Sequence, residues 1–172
     1  VNLSQLPTPD VVETLDFETI LAARKDRLLE LVDEDRRESV EETLALESEP
    51  LTKLLEENAY REIIWRQRVN EAAKAVMLAY ASGSDLDQLA ANCDIDRLVV
   101  DEGDPDAYPP VPPTYESDRD LRMRVQQARE GLSVAGPRGA YVYHSLSADG
   151  RVSDASAISP NPAEALVTLL SA

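Results

Sequence analysis

Apolar residues recur at helical spacing through the first third of the chain. After an extended lead-in that Pro7 and Pro9 predict over residues 1–15, Asp16 is a suitable N-cap for a helix running to about Val32. The apolar positions of this helix are Phe17, Ile20, Leu21, Leu28 and Leu31. A shorter helix is predicted over residues 35–46, where Val40, Leu44 and Leu46 carry the same spacing.

The longest predicted helix covers residues 50–81, where nothing interrupts the pattern before Gly83. At about 1.5 Å per residue it would be about 48 Å long. Glu62 interrupts its apolar stripe and requires a positive partner, either Arg61, Arg66 or a neighbouring protein. The stripe, set out at about 100° per residue, consists of Leu51, Leu54, Leu55, Trp65, Val69, Ala72, Ala73, Val76 and Tyr80.

A second apolar patch lies on the other side of this helix, formed by Tyr60, Ile63 and Ile64. A helix that is apolar on two sides needs two neighbours. The second neighbour is either the rest of this chain or another subunit, and the sequence leaves both open. Together with Glu62, these three residues are the candidate subunit contact.

The second half of the chain mixes helical and extended patterns. It predicts helices at 84–92, 117–130 and 140–146, and strands at 95–100, 152–158 and 165–170. An acidic loop at 94–116 separates the halves, and its five prolines between residues 105 and 113 forbid helix. We therefore predict an α+β fold, mainly α, in which N-terminal helices surround one long central helix.

This pattern suggests three segments: a helical domain over 1–93, the loop over 94–116, and the start of a mixed α/β domain over 117–172. The apolar run at 166–170 lies close to the last residue. Because an isolated strand pair is only marginally stable, we expect the sheet to continue beyond this sequence and the chain to be an N-terminal fragment.

The charge balance restricts the partners. The chain has 33 acidic and 17 basic residues and a formal net charge of −16, which opposes binding to a phosphate backbone. No stretch approaches the about 20 apolar residues of a membrane span. We therefore expect neither nucleic acid nor membrane as a partner. The charge also motivates an alternative function, an acidic binding module that mimics DNA or inhibits a basic host protein.

The residues that carry most enzyme chemistry are scarce. Cys93 is the only cysteine, and His144 is the only histidine and has no nucleophile motif beside it. The densest acidic cluster begins like a calcium loop but has Leu98 and Val99 where that loop needs an oxygen ligand and a glycine. We predict no catalytic residue, cofactor or metal; a metal-dependent hydrolase remains a minor alternative, based on Asp94, Asp96, Asp101, Glu102, Asp104 and Asp106.

Several blocks of the chain resemble the baseplate assembly J-like proteins of contractile-tailed bacteriophages. They are LSQLPTPDVVE at 3–13 with 15–18, TLALESEPL at 43–51 with 53–62, WRQRVNEAA at 65–73, and GLSVAGP at 131–137. The resemblance covers essentially the whole chain and is weakest over 94–116. Members of the family are longer than this chain.

The resemblance implies a structural role without catalysis. Family members are baseplate wedge subunits that join neighbouring proteins around the tail hub, and they are expected to pair with each other and to bind other wedge and fibre-linking proteins. The expected location is the virion tail baseplate, and the host cytoplasm during assembly.

Overall fold

The computed structural model describes residues 2–171 and contains six α-helices, a short 3-10 helix and two small antiparallel sheets in that range. The predicted class, α+β and mainly α, is confirmed. The 3-10 helix is Leu3–Gln5. The α-helices are α1 (Phe17–Leu31), α2 (Glu34–Leu44), α3 (Pro50–Ala75), α4 (Gly83–Ala91), α5 (Asp118–Gly131) and α6 (Arg138–Leu146), and the strands are β1 (Val99–Asp101), β2 (Thr114–Tyr115), β3 (Val152–Ile158) and β4 (Leu166–Ser171).

The internal contacts divide the chain into two compact units, Val1–Lys74 and Ala75–Ala172. Helix α4, which the sequence grouped with the N-terminal helices, contributes Leu86 and Ala90 to a core in the second unit. That core also contains Leu121 and Val125 of α5. The domain boundaries predicted at residues 93 and 116 stay predictions, since a compact unit is not by itself an independently folding domain.

The predicted start of α1 is confirmed by its cap. The Asp16 carboxylate accepts hydrogen bonds from the Thr19 backbone N–H at 2.8 Å and from the Thr19 hydroxyl at 2.7 Å. These hydrogen bonds lower the pKa of Asp16, since they favour its ionised form. At the end of α2, the Lys25 ammonium donates to the Leu44 carbonyl at 3.0 Å. A cation at a helix C-terminus satisfies one of the carbonyls that the helix leaves free.

Helix α3 ends at Ala75 and not at residue 81 as predicted, so its 26 residues span about 39 Å. The chain turns after Ala75 because tertiary contacts outweigh helix propensity there. The Arg122 guanidinium donates to the carbonyls of Leu78 and Ala81 at 2.7 and 2.6 Å, and the Ala81 side chain is buried. Gly83, predicted to close α3, begins α4 with a positive φ of 53°.

Strands β3 and β4 pair antiparallel, with Val152 opposite Ser171 and Ile158 opposite Leu166. Helix α6 packs on β3, and the side chains of Ala155 and Ala157 are buried. The predicted strands 152–158 and 165–170 are confirmed within one residue. The strand predicted at 95–100 is shorter, as β1, and pairs with β2, which the proline-rich pattern did not predict.

A buried ion pair holds the ends of the β1–β2 segment together. The Arg124 guanidinium lies 3.2 Å from the Glu116 carboxylate, and both side chains are almost fully buried. Glu116 accepts the Leu98 N–H at 2.9 Å, and its own N–H donates to the Leu98 carbonyl at 2.9 Å. Burial raises the pKa of the Glu116 carboxyl, against the lowering effect of the Leu98 N–H and of Arg124.

Within residues 2–171, no helix is both long and apolar enough to cross a membrane.

We expect Arg124→Met to lower the free energy of unfolding by about 3–5 kcal/mol, because it leaves the Glu116 carboxylate buried without its partner. Denaturant unfolding followed by circular dichroism measures the change. Arg129→Met, at an exposed position of the same helix, is the matched control and should change stability by less than about 0.5 kcal/mol. Equal losses in the two variants would contradict this account.

Candidate subunit interface on α3

The buried side of α3 consists of small and polar residues. Thr52, Ala59 and Asn70 are the fully buried positions of this helix. The Asn70 amide nitrogen donates to the Glu13 carbonyl at 2.9 Å, and its oxygen accepts the Glu13 N–H at 3.0 Å. This two-way contact satisfies a buried amide and attaches the lead-in segment to the helix. Nothing in the hydrophobic pattern pointed to Asn70.

The predicted apolar stripe is largely exposed. Trp65 is 72% exposed, and Leu54, Val69 and Val76 are exposed as well. The two-sided pattern predicted a neighbour on each side of the helix, and these residues of the stripe have none that buries them within the described chain. The buried positions lie about 100° further round the helix. On the buried side, the Thr52 hydroxyl donates to the Leu44 carbonyl at 3.5 Å.

Glu62 lies on the half-buried side of α3, held by two arginines. It accepts from the Arg24 Nε at 2.9 Å, and its other oxygen accepts from Arg66 Nε at 2.9 Å. Arg66 also reaches the Glu13 carboxylate at 3.0 Å. The hydrogen bond from Arg24 is the main cause that lowers the pKa of Glu62, and Arg66 adds to it. Glu62 and Arg66 together therefore join α1, α3 and the lead-in segment.

Of the two partners predicted for Glu62, Arg66 is found and Arg61 is not. Arg61 pairs with Glu57 at 2.6 Å on the exposed side of the helix. Arg24 on α1 was missed, because its approach depends on tertiary packing that sequence spacing cannot show. The role of Glu62 in a subunit contact stays a prediction.

The other predicted contact residues face outward to different degrees. Tyr60 and Ile64 are 56% and 49% exposed, and Ile63 is half-buried. Ile63 and Ile64 border a surface groove of about 440 Å³, which we call the α3 groove. Its lining residues are Ile63, Ile64, Trp65, Gln67, Arg68 and Glu71. The structure thus places Trp65, predicted for the opposite face, next to the candidate patch.

The first unit buries few apolar side chains. Among its described residues the only buried apolar ones are Leu21, Leu44 and Ala59, whereas the described part of the second unit has ten. Contiguous exposed apolar surface is uncommon on monomeric proteins and marks interaction sites. The large apolar residues exposed in the first unit are Leu6, Val11, Leu31, Leu46, Leu54, Tyr60, Ile64, Trp65 and Val69.

The side chains considered for chemistry have structural surroundings. Within residues 2–171, no group of three or more His, Cys, Asp or Glu side chains is arranged to hold a metal ion. Asp101 and Asp104 accept backbone N–H groups of their own loop at 2.8 and 2.9 Å. His144 meets the Tyr143 ring edge-on at 5.3 Å, and Cys93 is an exposed free thiol.

A mainly helical chain with an uncovered apolar helix side has the features of an assembly subunit. The family model "Baseplate J-like N-terminal domain" matches residues 47–104, which include α3, the α3 groove and α4. The chain is 61% identical over 171 residues to Baseplate protein J of Escherichia phage P2. Both matches show that the chain resembles the Baseplate J-like proteins. The match covers 99% of this chain and 57% of that relative, so the chain spans little more than half of the relative's length.

We expect Glu62→Gln to lower the melting temperature at pH 7 and to have no effect in strong acid. Because Arg24 and Arg66 lower the pKa of Glu62, its contribution is complete above the usual value of 4.5 and is lost as the pH falls through the lower folded value. Melting curves from pH 7 down to about pH 3 measure this loss. Glu57→Gln, which removes one exposed pair with Arg61, should have the smaller effect at every pH.

Proposed function

We propose that the chain is a structural subunit of the baseplate of a contractile phage tail, and more specifically a wedge subunit that joins neighbouring baseplate proteins without catalysis. The exposed apolar side of α3 carries this proposal, in a protein related to Baseplate protein J. Its partners would be other wedge and fibre-linking proteins and a second copy of the chain. It would act in the virion tail baseplate, after assembly in the host cytoplasm.

The composition of the exposed side supports protein contact. Tyrosine, tryptophan and arginine dominate the energetics of protein interfaces, and here Tyr60, Trp65, Arg61 and Arg68 lie along one helix. Burying a large apolar side chain contributes about 1.5–3 kcal/mol. A partner covering Ile64 and Trp65 would therefore supply stability that the small core of the first unit lacks.

The alternative, an acidic module that mimics DNA, has support from the net charge alone. Such a mimic needs carboxylates arrayed along one surface in place of phosphates. On α3 the acids instead pair with bases of the same helix, as Glu56 does with Lys53, Glu57 with Arg61 and Glu71 with Arg68. This interleaving favours the assembly function.

We expect Ile64→Asp, made in the phage gene, to reduce incorporation of the protein into tails by at least about tenfold, since it places a charge in the centre of an apolar contact. Quantitative blotting of purified tails measures incorporation. The melting temperature of the purified chain should change little, because Ile64 is half exposed.

Val134→Asp is the matched control, since Val134 is fully exposed and lies outside α3. It should enter tails normally. If Ile64→Asp and Tyr60→Ala both entered tails as the unaltered protein does, the α3 interface would be excluded.

A further inference from the structure

The segment from residue 99 to residue 115 stands out from the second unit as an acidic finger. It comprises β1, β2 and the connecting loop, and only Val100, Gly103 and Ala107 within it are even half-buried. Tyr108 at the tip is fully exposed. The finger carries four carboxylates and no lysine or arginine. No described residue of the chain covers this aromatic side chain, so it is available for contact with another protein.

The finger is ordered by its own backbone. Asp104 and Val111 exchange two backbone hydrogen bonds, each of 2.9 Å. Gly103 has a φ of +69°, and a Cβ there would lie 2.2 Å from the Val111 carbonyl oxygen, so only glycine fits. The prolines and these contacts fix the tip, which reduces the entropy lost when it binds.

The base of the finger is fixed as well. Glu116, directly after β2, is tied to Leu98 directly before β1 and is paired with buried Arg124. The Arg97 guanidinium donates to the Glu116 carbonyl at 2.8 Å and to the Asp118 carboxylate at 2.7 Å. These contacts hold the base of the finger against α5.

The α3 groove offers the complementary surface. Its apolar lining is Ile63, Ile64 and Trp65, and its polar lining is Gln67, Arg68 and Glu71. The side chains of Arg61 and Arg68 are 70% and 77% exposed, two turns apart on the same side of α3. In a chain of net charge −16, α3 holds five basic and four acidic residues. Each guanidinium pairs with one acid of α3, Arg61 with Glu57 and Arg68 with Glu71, and has N–H groups left for a second carboxylate. An aromatic ring flanked by carboxylates therefore matches an apolar groove with these two guanidinium groups beside it.

We propose that the acidic finger of one copy binds the α3 groove of a second copy, with Tyr108 in the groove and the carboxylates of Glu102 and Asp106 facing Arg61 and Arg68. The contact rests on the proposed function as an assembly subunit. The contact joins two different surfaces. A copy whose groove is occupied therefore still has a free finger, which can bind a further copy. Repeated contacts of this kind build rings or open chains, unlike a symmetric dimer.

Cross-linking between two single-cysteine chains tests the contact. Both chains carry Cys93→Ser; one carries Pro110→Cys beside the tip, and the other carries Gln67→Cys in the groove. We expect a mixed disulfide between them, in solution and in purified tails, identified by mass spectrometry. Because each chain has a single cysteine, no disulfide can form within one chain. Adding Tyr108→Ala should reduce the yield about tenfold, and adding Val134→Ala should leave it unchanged.

The matched control replaces the groove cysteine by Glu38→Cys on the exposed surface of α2. A Pro110–Gln67 yield no higher than the Pro110–Glu38 yield would overturn the proposal.

Charge reversal tests the ionic part of the contact. Asp106→Arg in the finger chain, or Arg68→Asp in the groove chain, should each lower the cross-link yield about three- to fivefold at low salt. Combining the two reversed chains should restore it, since the signs match again. Asp106 is a suitable position because the turns are capped by Asp101 and Asp104. Failure of the combination to restore the yield would exclude the pairing of Asp106 with Arg68.

The outcome in tails separates this contact from the broader proposal. If Tyr108→Ala enters tails normally and gives the unaltered cross-link yield while Ile64→Asp is excluded, the finger contact is wrong and the baseplate function stands. If neither Tyr108→Ala nor Ile64→Asp changes incorporation, both the finger contact and the proposed interface on α3 are wrong.

Discussion

The paired hydrogen bonds of Glu62 with Arg24 and Arg66 determine how α3 is turned in the first unit. A carboxylate on an otherwise apolar side of a helix has to be satisfied, and here α1 supplies the first guanidinium and α3 itself the second. Glu62 lies on the same stripe as Trp65 and Val69, so its polar contact with α1 and these exposed apolar side chains share one side of the helix. The contact fixes that side relative to α1 and still leaves Trp65 and Val69 exposed.

The two units are stabilised in different ways. In the second, Leu86 and Leu121 are completely buried and a network of arginines satisfies backbone carbonyls around them. In the first, the buried side chains of α3 are small or polar, and hydrogen bonds such as those of Asn70 with Glu13 take the place of apolar packing there. A unit of this kind has little apolar burial to offset the conformational entropy lost on folding.

Local signals in the sequence predicted where most of the helices and strands begin. Asp16 caps α1 as its position predicts, Pro50 opens α3, and the β3 and β4 runs lie where their composition placed them. These features depend on residues within a few positions of one another. The family blocks around Trp65 and Gly131 likewise identified the class of protein before any coordinates.

Features that depend on distant residues could not be predicted. The early end of α3 depends on Arg122, more than forty residues away, and its rotation depends on Arg24 and Glu13. A period of 3.6 residues shows that a helix has an apolar side, but not whether that side meets its own chain or another. For the same reason the sequence did not predict that Trp65 is exposed, and the patch of Tyr60, Ile63 and Ile64 stays a prediction.

The small core of the first unit has a further consequence for the proposed baseplate subunit. A protein that gains stability from neighbours is least stable when it is alone, and its folded population rises with the concentration of its partners. On that proposal, unassembled copies would open more often and be degraded faster than assembled ones.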